Sequence, residues 1–189
     1  MTSQSIPKGP AADQLRNAIN WQASLPGYVF GERRLQGFFI VGSGIFDTRN
    51  FLEFMLGENL KANGAPISVL VRLQEQPERD LLFSVSNADE IKDLRLHVTQ
   101  GPFEIFGSII VVSGESSKWV AYEDVDEHFA ILAVFDASIF ERWSAKESGV
   151  FDYVISEDQV SEKMQADEWV GWEPDFLKKI IGSYGGRQR

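Results

Sequence analysis

Residues 103–135 read FEIFGSIIVVSGESSKWVAYEDVDEHFAILAVF, and the division of this stretch decides the fold. Three apolar runs stand out: Phe103 to Val112, Trp119 to Tyr122 and Phe129 to Phe135. Polar segments separate them, the second being the acidic Glu123-Asp124-Val125-Asp126-Glu127-His128. Runs this short, rich in β-branched and aromatic residues, read as strands. Connections this short join antiparallel neighbours, because a parallel return needs a crossover of about a dozen residues or more.

The same reading extends upstream. Ile67 to Leu73 is a strand of the form I-S-V-L-V-R-L, and Leu81 to Ser86 is its neighbour across a polar connection. Phe38 to Val41, between Gly37 and Gly42, is a buried strand. Leu94-Arg95-Leu96-His97-Val98 alternates as a half-buried strand does, after one helical turn over Asn87 to Lys92. Ala11 to Trp21 reads as a helix presenting Leu15, Ala18 and Ile19, ended by Pro26-Gly27. Asp47 or Thr48 caps a helix through Leu60, with Phe51, Leu52, Met55 and Leu56 inward.

Downstream the character becomes helical. Helices are expected over Ala137 to Lys146, Glu157 to Trp169 and Asp175 to Tyr184, the last opened by Pro174. A final strand is expected over Val150 to Ile155. The pattern predicts an α+β fold with a mostly antiparallel sheet of about six to eight strands. An N-terminal helix and C-terminal helices pack on that sheet. One domain spans 11–184, between flexible tails at 1–10 and 185–189.

The 189 residues contain no cysteine, which removes disulfides, thiolate nucleophiles and Cys-ligated metals. Met1 to Pro10 lacks the apolar core of a signal peptide, and no apolar run approaches the ~18–20 residues of a membrane span. A cytoplasmic protein is expected.

Gly42-Ser43-Gly44 lies between a strand and a helix, the setting of a phosphate loop. Asp47 stands where the dinucleotide fingerprint needs glycine, and no Lys-Ser or Lys-Thr pair follows, so the segment reads as a turn and helix cap. Asp124, Asp126 and His128 alternate; if extended, they would share one side and could hold Mn²⁺, Fe²⁺ or Zn²⁺. No cofactor is otherwise indicated, and no catalytic residues are assigned.

Charge is unevenly placed. The net charge is −10, and residues 115–175 hold sixteen Asp/Glu against four Lys/Arg. The same segment holds four of the five tryptophans. Such a surface repels nucleic acid and anionic membranes and steers basic partners inward. Aromatic anchors beside carboxylates suit a protein interface. The candidate contact residues are Trp119, Tyr122, Glu123, Asp124, Asp126, Glu127, Glu168, Trp172 and Glu173.

This whole-chain profile, compact, acidic, cysteine-free and α+β, resembles the small immunity proteins of bacterial toxin systems. The resemblance implies a non-enzymatic protein that neutralises a basic partner, such as a nuclease-type toxin, by covering its active site. Two other classes remain: a metal-dependent enzyme using Asp124, Asp126 and His128, and a structural protein of a phage or secretion apparatus.

Overall fold

The protein is described by a computed structural model covering residues 10–41, 44–48, 50–73, 80–100, 108–114, 116–145, 154–156, 162 and 173–185. In chain order the elements are α1 (Pro10–Ala18), β1 (Gly37–Val41), α2 (Phe51–Asn63), β2 (Ile67–Leu73) and β3 (Leu81–Val85). They continue with α3 (Ala88–Gln100), β4 (Ser108–Gly114), β5 (Trp119–Asp124), β6 (Phe129–Val134), α4 (Ala137–Ser144), β7 (Val154–Ser156) and α5 (Pro174–Tyr184). The strands form one sheet in the order β3-β2-β4-β5-β6-β1-β7. Every described pairing is antiparallel, so the α+β class holds.

The sheet is covered on both faces. Val69, Val71, Ile110, Val112, Trp119, Ala121, Leu132 and Phe39 point to one side. There they meet Phe51, Leu52, Met55 and Leu56 of α2, Ile91, Leu94 and Val98 of α3, and Ile139 and Trp143 of α4. Leu70, Ile109, Val111, Val120, Tyr122, Ile131 and Phe38 point to the other side. They meet Leu15 and Ala18 of α1, the segment carrying Leu25, Val29, Phe30 and Leu35, and Leu177, Ile180 and Tyr184 of α5. Double coverage explains the unbroken apolar runs: in β4, β5 and β6 every residue is buried, so neither set of alternating positions has to be polar.

A few polar groups tie the helical layers down. The Trp143 indole N–H and Arg142 Nη2 both donate to the Glu58 carboxylate, at 3.1 and 3.0 Å, joining α4 to α2. The buried Tyr184 hydroxyl donates to the Gly27 carbonyl at 2.9 Å and accepts from the Val29 amide at 3.3 Å. Asp80, with its side chain 1% exposed, accepts from Arg16 Nε at 3.0 Å and from Arg72 Nε and Nη2 at 2.8 and 2.7 Å.

Two sequence expectations change. Leu94 to Val98 is not a strand; it continues the helix that begins at Ala88. The alternation covers only five residues, whereas Ile91, Leu94 and Val98 recur at spacings of three and four and bury one helical stripe. His97 accordingly lies on the exposed side of α3, its ring centroid 5.6 Å from that of Phe83. The α2 helix starts at Phe51 rather than at Asp47 or Thr48, because residues 44–48 first close a turn in which the Thr48 amide bonds the Gly44 carbonyl. The expected helix over 157–169 lies outside the described residues apart from Glu162, which is helical. Among the described residues, no helix is long and apolar enough to cross a membrane.

The Asp80 cluster allows a test of burial against mere pairing. Removing the charge of a carboxylate buried between two guanidinium groups costs about 3–5 kcal/mol. Asp80→Asn is therefore expected to lower unfolding free energy by that amount in urea. Asp89→Asn, which removes an ion pair to Lys92 with both side chains in water, is expected to leave the urea midpoint unchanged.

Candidate functional site

Tyr122, Glu123, Asp124, Asp126 and Glu127 gather where β5 ends. Antiparallel pairing places the end of β5, the start of β6 and the end of β1 at one end of the sheet, with Asp124 opposite Phe129 and Val41 opposite Ala130. The four-residue connection 125–128 closes as a turn. Asp124 Oδ1 accepts from the Asp126 and Glu127 amides at 3.2 and 3.4 Å. The His128 amide bonds the Val125 carbonyl at 3.2 Å, and His128 is left-handed, with φ of 48°.

That turn overturns the metal alternative. Asp124, Asp126 and His128 would share a side only in an extended chain, and the hairpin has to reverse there. Among the described residues, no group of three His, Asp or Glu side chains could hold a metal ion.

The pleat divides the remaining candidates. Trp119 and Tyr122, expected as interface anchors, are buried at 3% and 2% exposure. Trp119 packs on Trp143 with ring centroids 6.4 Å apart, and Tyr122 meets Phe30 edge-on at 6.3 Å. Their side chains belong to opposite faces of the sheet and to its core, so neither presents a docking surface. Glu123 and Asp124 are also buried, on opposite faces. Asp126, Glu127 and Glu173 are exposed, whereas Glu168 and Trp172 lie outside the described residues.

Glu123 has a role that the sequence did not indicate. Its Oε2 accepts from the Ile45 amide at 2.7 Å. Gly44, at φ of +95°, lies so close that a Cβ there would collide with the carboxylate. The glycine is required twice, by its backbone angle and by the approach of Glu123. The segment considered above for phosphate thus offers its Ile45 amide to an acid of the protein itself. Burial, with smaller contributions from Asp47 and Asp124, raises the Glu123 carboxyl to about 7 despite the Ile45 hydrogen bond. Burial likewise raises Asp124, against the two amides that favour its charge.

Around these buried acids lie exposed ones from three segments. Asp126 and Glu127 occupy the β5–β6 turn, Asp47 follows β1, and Glu173 and Asp175 open α5. Contact of Phe129 with Phe176, centroids 5.0 Å apart, brings the start of α5 beside the start of β6. Asp175 is paired to Lys178 at 3.3 Å, so it adds least to the net charge of this end.

No protein-family model, no curated protein and no solved structure matches this chain.

The raised Glu123 carboxyl has a definite sign in stability. Its folded value, about 7, exceeds its ordinary 4.5, so the folded state holds the proton more tightly than the unfolded chain. The stabilisation is complete below about 4.5 and is lost as pH rises through about 7. Glu123→Gln is expected to remove this slope. From about pH 5 to pH 8 the unfolding free energy of the variant should gain on that of the parent, by up to about 3 kcal/mol, read from urea titrations at each pH.

Proposed function

We propose that this protein is a non-enzymatic binding protein that docks a basic protein partner on the acidic end of its sheet. The supporting observation is the convergence of Asp47, Asp126, Glu127 and Glu173, from three separate segments, around two carboxyls whose ionisation is opposed by burial first and by the neighbouring acids second. A cationic surface placed there relieves that repulsion. It also gains long-range attraction, which acts on the association rate more than on final affinity.

The contact surface in this reading differs from the one drawn from composition. Its charge comes from turns and a helix start, and the buried Trp119, Tyr122, Glu123 and Asp124 shape it from beneath. The most specific form of the proposal is an immunity protein that covers the active site of a basic toxin. Such a partner fits because nuclease-type toxins carry cationic clefts for phosphate backbones.

The test is retention of a basic partner. Immobilised protein is exposed to lysate of the cells that make it, and bound protein is eluted with a salt gradient. A stoichiometric basic protein, released by salt, is expected. With the purified partner, Asp126→Lys, Glu127→Lys and Glu173→Lys together should slow association tenfold or more, taking steering of roughly 10–10³ as the guide. Unchanged association of the triple variant, or a partner indifferent to ionic strength, would overturn the reading.

A further inference from the structure

On the face opposite Glu123, a cleft of about 400 Å³ lies between the sheet and the segment that follows α1. The size falls within the roughly 300–1,000 Å³ of small-ligand sites. Its floor is a row across three strands. Arg72 of β2 stands opposite Ile109 of β4, and Ile109 stands opposite Asp124 of β5. Trp21 and Ser24 form the wall, and Tyr122 completes the floor beside Asp124.

The two ends of the row carry opposite charge and are held rigidly. Arg72 gives two N–H groups to Asp80, and its guanidinium lies 3.6 Å from the centre of the Trp21 ring. Arg16 also donates to Asp80, so two cations meet one carboxylate that is sealed from water. Among the described residues, the other acid near them, Asp13, is 3.6 Å from Arg16 and largely in water, where its charge is screened. This end of the cleft therefore has a positive balance among the described residues. At the far end, Asp124 commits Oδ1 to the amides of the turn. A carboxylate has about four acceptor sites, so Oδ2 keeps capacity for a ligand. Among the described residues, nothing hydrogen-bonds the Tyr122 hydroxyl, although the side chain is 2% exposed and lines the cleft. The hydroxyl is thus free to bond a group in the cleft.

We propose that this cleft binds a small zwitterion, with its carboxylate at the Arg72 end and its cationic nitrogen at Asp124 and Tyr122. Two strand spacings separate the backbones of Arg72 and Asp124 by about 10 Å, which limits the ligand to a short chain between its two charges. The chemistry is that of an ω-amino acid or a dipeptide, with an aliphatic middle resting on Ile109. A lone anion meets Asp124 and a lone cation meets the Arg72 end, so each is repelled at one side. The cleft shares Tyr122 and Asp124 with the layer beneath the proposed protein surface, but its ligand is held by these buried groups and the Arg72 end rather than by the exposed Asp126, Glu127 and Glu173, so it does not depend on that reading.

The test uses the full chain in ¹⁵N-labelled form, titrated at low salt with 5-aminopentanoate. Two truncated probes, pentanoate without the cation and 5-aminopentanamide without the anion, are titrated in parallel. Saturable shifts are expected at the Trp21 indole and at the amides of Ile109 and Asp124, with each truncated probe binding at least tenfold more weakly. Asp124→Asn, which keeps the acceptor for the turn amides, should weaken the zwitterion at least tenfold while leaving pentanoate no weaker. Tyr122→Phe should weaken it by a smaller factor. Absence of saturable shifts at these groups at millimolar probe would overturn the proposal. So would equal affinity for the zwitterion and pentanoate, or an Asp124→Asn protein of native spectrum that binds as the parent does. If Asp124→Asn loses its native spectrum, the three probes on the parent protein and Tyr122→Phe decide the matter alone.

Discussion

Everything in this molecule depends on an antiparallel sheet that is covered by helices and packed segments on both faces. In β4, β5 and β6 every residue is largely covered, so charge enters mainly where a strand ends. The acids of β5 obey this limit. They occupy its last two positions, and because successive residues point to opposite faces, Glu123 closes one side of the sheet end and Asp124 the other. The same step of one residue that separates two core layers thus separates a sealed acid beneath the Gly44 turn from an acid in an open cleft.

The buried carboxylates show two ways of meeting the cost of leaving water. Asp80 is enclosed by two arginines, and the guanidinium hydrogen bonds offset its desolvation. Glu123 has one backbone amide and two acids as neighbours; among the described residues no cation pairs with it, and its equilibrium moves toward the neutral acid. Asp80 consequently acts as a fixed structural joint. Glu123 is a joint whose strength varies with proton activity.

Much of the architecture was legible because the apolar runs are short and their connectors shorter. Trp119 to Tyr122 and Phe129 to Val134 could only be neighbours, and the α+β class follows from that stretch. The α3 helix was missed because five alternating residues satisfy a strand locally, while the helical stripe of Ile91, Leu94 and Val98 shows only over a longer window. The candidate site was legible as charge and illegible as surface. Counting acids and tryptophans over 115–175 says nothing about facing, and the pleat turned Trp119, Tyr122, Glu123 and Asp124 inward. Arg72 did carry a signal: it falls in I-S-V-L-V-R-L on the same side as the buried Leu70, and a cation in that register needs a partner below it. What no pattern reveals is that the partner would be Asp80, together with Arg16 from α1.

The position of β1 has a consequence for how the chain can assemble. Its only described strand neighbours are β6 and β7, both made long after it, so Phe39 waits for Leu132 and for Ser156 before its backbone is paired on either side. Until then a continuous run of Phe38, Phe39, Ile40 and Val41 has no ladder to join. The hairpins β2–β3 and β4–β5–β6 can zip from local contacts, but closure of the sheet is a long-range event that bears the entropy of a very large loop. During synthesis the nascent chain therefore carries this apolar run without its ladder until β6 has been made, an interval in which it is exposed to association with other chains.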